Sequence, residues 1–183
     1  GPSVEVIEQM GAKDQAKLVM ETAGVPVVSG YKGADQSPDI LHTEAKKIGY
    51  PLMIKAVFGG GGKGMRVVRK HQEFLEALES ARSEARNTVG DDRVLLEKFI
   101  SGPRHIEFQI FGDQHGNTVH LFERDCSLQR RYQKIIEESP SSFLDDDLRS
   151  RMSDTAVAAA KAVKYEGAGT VEFIVGDDRR FYF

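Results

Sequence analysis

The 183 residues carry 25 Lys and Arg against 28 Asp and Glu, a formal net charge of −3, and are 40% hydrophobic. That balance offers no basic surface for nucleic acid or an anionic membrane, and no apolar run approaches the roughly 20 residues of a membrane span. The single cysteine, Cys126, excludes a disulfide framework within the chain and fits a reducing compartment, while the length suits one domain or two small ones.

The opening Gly1-Pro2-Ser3 reads as a protease-cleavage remnant. Residues 13–23 then read as a helix stopped by Gly24 and Pro26. Lys13 stands at its N-terminal mouth, a place unfavourable for a cation unless an anion lies nearby. Residues 31–39 are a turn-rich connection, and a helix over 39–48 leads through Gly49-Tyr50-Pro51 into an apolar run containing Ile54-Lys55-Ala56. Four consecutive glycines follow, at 59–62, then Lys63, Gly64 and a second apolar run, Met65-Arg66-Val67-Val68.

Strand, glycine loop and strand make a hairpin with a side-chain-free tip. Its backbone N–H groups can approach a ligand closely, and Lys55 and Lys63 add cationic donors, so phosphate is the ligand it suits. A flexible solvent-exposed turn is the plainer alternative. Three familiar nucleotide loops fit poorly. Gly64 stands where a P-loop needs Ser or Thr, a strand follows where a dinucleotide fingerprint needs a helix, and the kinase His-Arg-Asp and Asp-Phe-Gly tripeptides are absent.

Residues 71–86 place Phe74, Ala77, Leu78, Ala81 and Ala85 at helical spacing. Residues 87–92 read as a turn and 94–100 as a buried strand, closing a compact α+β lobe over 28–100. Ser101-Gly102-Pro103 marks a boundary. Beyond it, Ile106, Phe108 and Ile110 face one way and His105, Glu107 and Gln109 the other, ordinarily the solvated face of an antiparallel sheet. After a turn at 112–117 and a return strand over 118–123 comes a block dense in polar and cationic groups, 124–134, running into Ile135-Ile136-Glu137-Glu138 and broken at Pro140. Asp145, Asp146 and Asp147 suit a helix N-terminus. That helix is expected to carry Leu144, Leu148, Met152, Ala156, Ala159 and Val163 and to end at Gly167-Ala168-Gly169. In a strand over 170–175, Val171 and Phe173 face the core and Glu172 the other side, as an edge residue or a metal ligand.

Taken together, Lys13, Ile54-Lys55-Ala56 with the glycine hairpin, Glu97-Lys98-Phe99-Ile100, Pro103-Arg104-His105, the block Glu123-Arg124-Asp125-Cys126-Ser127-Leu128-Gln129-Arg130-Arg131 and Gly167-Ala168-Gly169-Thr170-Val171-Glu172-Phe173 resemble biotin carboxylase. That is the ATP-grasp component of biotin-dependent carboxylases. Within the family, 30–37, 55–57 and 78–82 are most similar to α subunits of methylcrotonoyl-CoA carboxylase, whereas 142–145 and 162–165 lean toward the propionyl-CoA enzyme. Carbamoyl-phosphate synthetase, another ATP-grasp ligase, shares the hairpin but is expected to lack the 123–129 block.

The resemblance implies an α+β ATP-grasp fold, here as the lid subdomain (28–100) and part of a mostly antiparallel catalytic sheet (101–183), with 4–27 as a linker helix from an N-terminal domain. It implies carboxylation of protein-linked biotin with bicarbonate and ATP through carboxyphosphate, with Mg2+ or Mn2+. Lys13, Lys55 and the tip Gly60, Gly61, Gly62, Lys63, Gly64 and Met65 would hold or cover phosphates. Glu97, Lys98, Phe99 and Ile100 would form an adenine-binding hinge. His105, Gln129 and Tyr132 would lie near the nucleotide, Lys134 near bicarbonate, and Glu172 on metal. Further implied are a biotin carrier domain, a carboxyltransferase β subunit, a role in leucine catabolism, and the mitochondrial matrix in a eukaryote or the cytoplasm otherwise. Two positions depart from the family pattern: Ala12 replaces the Asp of Gly-Asp-Lys, and Tyr132 stands where His or Asn is common. The family also continues past Phe183 with Glu-x-Asn-x-Arg, so the 183 residues alone are expected to be inactive, leaving a nucleotide-binding or subunit-interaction module as the alternative.

Overall fold

Burial alternates along β2 (Leu52–Ala56): Leu52, Ile54 and Ala56 are buried, while Met53 and Lys55 lie on the opposite face. This period-two pattern directs one face of the strand to the helices and leaves the other for chemistry. In this computed structural model, which describes residues 1–183, β2 belongs to the unit formed by Gly11–Asp14 and Val28–Ile100. The unit's four-stranded antiparallel sheet has the order β1 (Gly30–Tyr31), β4 (Val94–Lys98), β2, β3 (Met65–Val68). Helices α3 (Pro38–Ile48) and α4 (Phe74–Val89) cover it, burying Leu41, Leu52, Ile54, Phe74, Leu78 and Leu96 in one core.

The second unit comprises Gly1–Met10, Gln15–Val27 and Ser101–Phe183. Its five-stranded antiparallel sheet runs β7 (Gln133–Glu138), β6 (Thr118–Arg130), β5 (Arg104–Gly112), β8 (Gly167–Val175), β9 (Phe181–Tyr182). One face packs on α5 (Asp146–Ala162), with Ile106, Phe108, Leu148, Met152 and Phe173 at the centre of the core. Asp145 caps α5 by accepting the Leu148 N–H at 2.9 Å, and Asp146 and Asp147 lie in its first turn, as the dipole favours.

Several elements differ from the sequence expectations. Residues 4–27 hold two helices, α1 (Val4–Gly11) and α2 (Lys13–Thr22), rather than one. Tyr31, read as the start of a connection, forms with Gly30 a short edge strand on β4. Helix α4 continues to Val89, so the turn expected at 87–92 begins only at Gly90, whose N–H closes the helix on Arg86 O at 3.0 Å. The return strand expected over 118–123 is longer: β6 runs on through the polar block to Arg130, and Arg131 and Tyr132, with φ of 51° and 65°, make the turn into β7. The expected helix end at 167–169 lies inside β8. α5 stops at Ala162, and Gly169 is placed where a Cβ would come within 2.6 Å of the Tyr165 hydroxyl.

Candidate functional site

The polar cluster of the second unit grows from strand register. β5 pairs Glu107 with Glu172 on β8 and with Arg124 on β6. Two carboxylates opposite each other on one sheet face repel unless cations intervene. Here both cations are present. The Lys134 Nζ donates to Glu107 and, at 2.8 Å, to Glu172, while Arg124 donates through Nε to Glu107 at 2.7 Å and through Nη1 to Gln109 at 3.1 Å. Lys134 reaches this point because β7 pairs it with Gln129 across the hairpin.

His105, two residues along from Glu107, shares its face. Its Nε2 lies 3.4 Å from Glu172 Oε2, and its Nδ1 lies 2.6 Å from the Gln129 amide nitrogen, which also donates to Cys126 O at 2.8 Å. With that amide as donor, Nδ1 is the acceptor and the ring proton sits on Nε2, facing Glu172.

These contacts order the protonation states. The His105 hydrogen bond, reinforced by Lys134 against the opposing effect of burial, draws the Glu172 carboxyl down to about 2. Burial pushes Glu107 up, but Lys134 and Arg124 outweigh it and hold the group below its ordinary value. Burial likewise favours neutral Lys134, yet its bonds to Glu107 and Glu172 win and raise its pKa. Lys134 is therefore a fixed ammonium at neutral pH, suited to holding an anion and unsuited to accepting a proton. Cys126 is buried, and desolvation ahead of the nearby Glu107 charge pushes it up to about 12, so it is a thiol and no nucleophile.

Ligand atoms of His105, Glu107 and Glu172 lie within 4.8 Å of one another. That trio does not fit a shared cation, because the Lys134 ammonium bridges its two carboxylates and Arg124 takes the rest of Glu107. Glu172 alone, ionised and with 52% of its side chain exposed, offers a hard oxygen to a divalent ion.

In the first unit, Lys55 pairs with Glu97 Oε2 at 2.6 Å across β2 and β4. The Lys13 N–H donates to Val57 O at 3.1 Å, and its ammonium donates to the Val57 and Gly59 carbonyls, tethering the start of the glycine turn. Burial, with the Lys55 charge, lowers the Lys13 pKa despite Glu97. At the other end of the turn, Gly64 O accepts the Ala56 N–H at 2.9 Å. Gly64 has φ +68°, and a Cβ there would lie 2.7 Å from the Ala56 Cβ. Residues 59–61 and Lys63 are exposed, and Met65 opens β3.

The structure thus brings His105, Gln129, Lys134 and Glu172 together in one unit, and Lys13, Lys55 and Glu97 together in the other. Tyr132 stands exposed at the β6–β7 turn, outside the cluster. In the expected hinge, the Lys98 N–H is taken by Ser29 O and the Phe99 N–H by Pro51 O, so neither is free for adenine, and the Lys98 side chain donates to the Gly49 and Tyr50 carbonyls. Sequence reasoning gave no role to Glu107, Arg124 or the Glu97 carboxylate. The usable signal was the shared face of His105, Glu107 and Gln109.

A profile of the family described as "Carbamoyl-phosphate synthase L chain, ATP binding domain" matches residues 12–183. The α subunit of mitochondrial methylcrotonoyl-CoA carboxylase from Rattus norvegicus is 58% identical over 183 residues, all of this chain and 26% of that protein. The chain therefore spans about a quarter of the length of the methylcrotonoyl-CoA carboxylase α subunits it matches. Among solved structures, the biotin carboxylase–beta-gamma-ATP complex from Campylobacter jejuni superposes with a TM-score of 0.97 at 52% identity, covering all of this chain and 41% of that one. The biotin carboxylase domain of the Hydrogenobacter thermophilus 2-oxoglutarate carboxylase, bound to MgADP and bicarbonate, gives 0.96 at 46% identity, covering all of this chain and 40% of that one.

Proposed function

Because the chain belongs to the family of the ATP-binding domain of the carbamoyl-phosphate synthase L chain, and has the ATP-grasp fold, we propose that its residues serve the ATP-dependent carboxylation of biotin with bicarbonate. The observation that carries this reading is the Lys134 ammonium fixed between Glu107 and Glu172, beside His105 and Gln129. A permanent cation beside an ionised carboxylate suits an oxyanion substrate and a nucleotide polyphosphate, and carboxyphosphate formation needs both held in line.

In this reading Lys13, Lys55 and the glycine tip neutralise and cover phosphates, with Lys63 and the N–H groups of residues 60–64 as donors. The 97–100 segment lies along adenine, while His105, Gln129 and Tyr132 bound the nucleotide. Lys134 holds bicarbonate as an anion. Glu172 would hold a divalent cation, which supplies charge neutralisation at the polyphosphate. The methylcrotonoyl-CoA carboxylase reading within the family follows from the 58% identity. With it come a biotin carrier domain and a carboxyltransferase β subunit as partners, and a mitochondrial location in a eukaryote. No helix is long and apolar enough to cross a membrane.

Calorimetry tests this directly. The 183-residue chain is expected to bind MgADP, and Lys55→Ala and His105→Ala to weaken binding about tenfold each, the scale of a lost charge-assisted hydrogen bond. Absence of heat from a folded chain would overturn the reading. Given ATP, Mg2+, bicarbonate and free biotin, the chain is expected to release phosphate only at background, since Glu107 is engaged by two cations and Glu172 is left as the one carboxylate for metal.

A further inference from the structure

Asp125 is a buried carboxylate, 5% exposed, that takes no part in the cluster around Glu172. It sits where β6 changes register with β7. The ladder passes from Asp125↔Glu138 to Leu128↔Ile136, so two β6 residues oppose one on β7. Such a bulge leaves backbone groups without ladder partners and re-aims the side chains beside it. Asp125 closes this one. Its Oδ1 accepts the Ser127 N–H at 3.0 Å and also the Ser127 hydroxyl, and its Oδ2 accepts the Ser141 hydroxyl at 3.1 Å.

The consequence reaches β5. Because the Ser127 hydroxyl spends its proton on Asp125, its lone pairs are left to face a donor, and the His105 N–H takes that place at 2.9 Å. His105 lies just beyond the last β5–β6 pair at this end, Ile106↔Asp125, so a side chain supplies what the ladder does not. We propose that Asp125 is a positioning residue: through Ser127 it fixes the backbone of His105 and so aims the imidazole at Glu172, Gln129 and the bound nucleotide. The last link rests on the nucleotide reading of His105 given above. A merely structural carboxylate would stabilise the bulge and the Ser141 turn without acting through His105.

Two measurements separate these roles. By NMR-detected hydrogen exchange, Asp125→Asn and, independently, Ser127→Ala are each expected to speed exchange of the His105 amide about tenfold, the scale of one lost hydrogen bond, while the Phe108 and Val171 amides stay protected. Ser127→Ala removes only the intermediate hydroxyl, so unchanged His105 exchange in that variant overturns the proposal even if Asp125→Asn folds poorly. By calorimetry, Asp125→Asn is expected to weaken MgADP binding about 5–10-fold in the unsubstituted chain and less than about twofold when His105 is already Ala, the coupling expected of residues acting in series. Unchanged His105 protection, or full additivity in the cycle, would overturn the proposal. If the unsubstituted chain binds no MgADP, the nucleotide link falls with the functional reading, and exchange alone decides the anchoring.

Discussion

Replacing Glu107 with Ala would leave Lys134 and Arg124 facing each other beside a buried space, because the carboxylate between them is only 3% exposed. Breaking one side of such a pair costs more than the pair is worth, and with both cations partly solvated we expect a loss of about 2–3 kcal/mol for Glu107→Ala by urea unfolding, and less for Glu107→Gln. Glu172 gives a pH signature. Its folded pKa of about 2 lies below the ordinary 4.5, so the folded state holds fewer protons than the unfolded one between those values. The stabilisation is full above about pH 4.5 and is lost as pH falls toward 2. Its half-exposed position screens the effect to a fraction of the full linkage. The melting-temperature gap between the chain and Glu172→Gln should therefore be present at pH 6 and close on acidification; a gap independent of pH would refute it. At this scale sequence reached His105, Gln129, Lys134 and Glu172 through family resemblance. Glu107 escaped because alternation tells which face a side chain takes, not whether cations from neighbouring strands then cover that face.

For the elements, the glycine hairpin was legible from its runs of residues, but its two ends are held differently from its tip. Gly64 combines positive φ with a Cβ position 2.7 Å from Ala56, whereas Gly60 meets nothing within 4 Å. Gly64→Ala is accordingly expected to cost at least about 1–2 kcal/mol in urea unfolding and Gly60→Ala less than about 0.5, and equal costs would contradict the geometry. The continuation of strand β6 beyond Glu123 was illegible for a physical reason. Its second half carries polar residues on both faces, because one face serves the Glu107 cluster and the other places Glu123 on Arg149 at 2.9 Å and Asp125 on Ser141 at 3.1 Å. Period-two hydrophobicity disappears where both faces of a strand bind polar groups. The glycines at 167–169 misled in the opposite sense. They read as a helix stop, yet Gly169 is small so that Tyr165 can lie against β8.

On the scale of the whole molecule, the α+β class followed from the periodicities, and the family from motifs spread along nearly the whole chain. Which strands neighbour one another did not, since β5 lies between β6 and β8 across a helix of the sequence and no local pattern records that pairing. Each unit has its own core, and Phe74→Ala, at a fully buried position, is expected to cost about 3–5 kcal/mol by hydrogen exchange of β2 and β4, its own sheet. The chain's one thiol offers a quieter readout. Cys126 is 0% exposed, held protonated, and flanked by the two residues that close the β6 bulge. Iodoacetamide can reach it only when that part of the sheet opens, so alkylation kinetics at neutral pH become a clock for local opening. No added label is needed, and a bound nucleotide that steadies His105 should make the clock run slow.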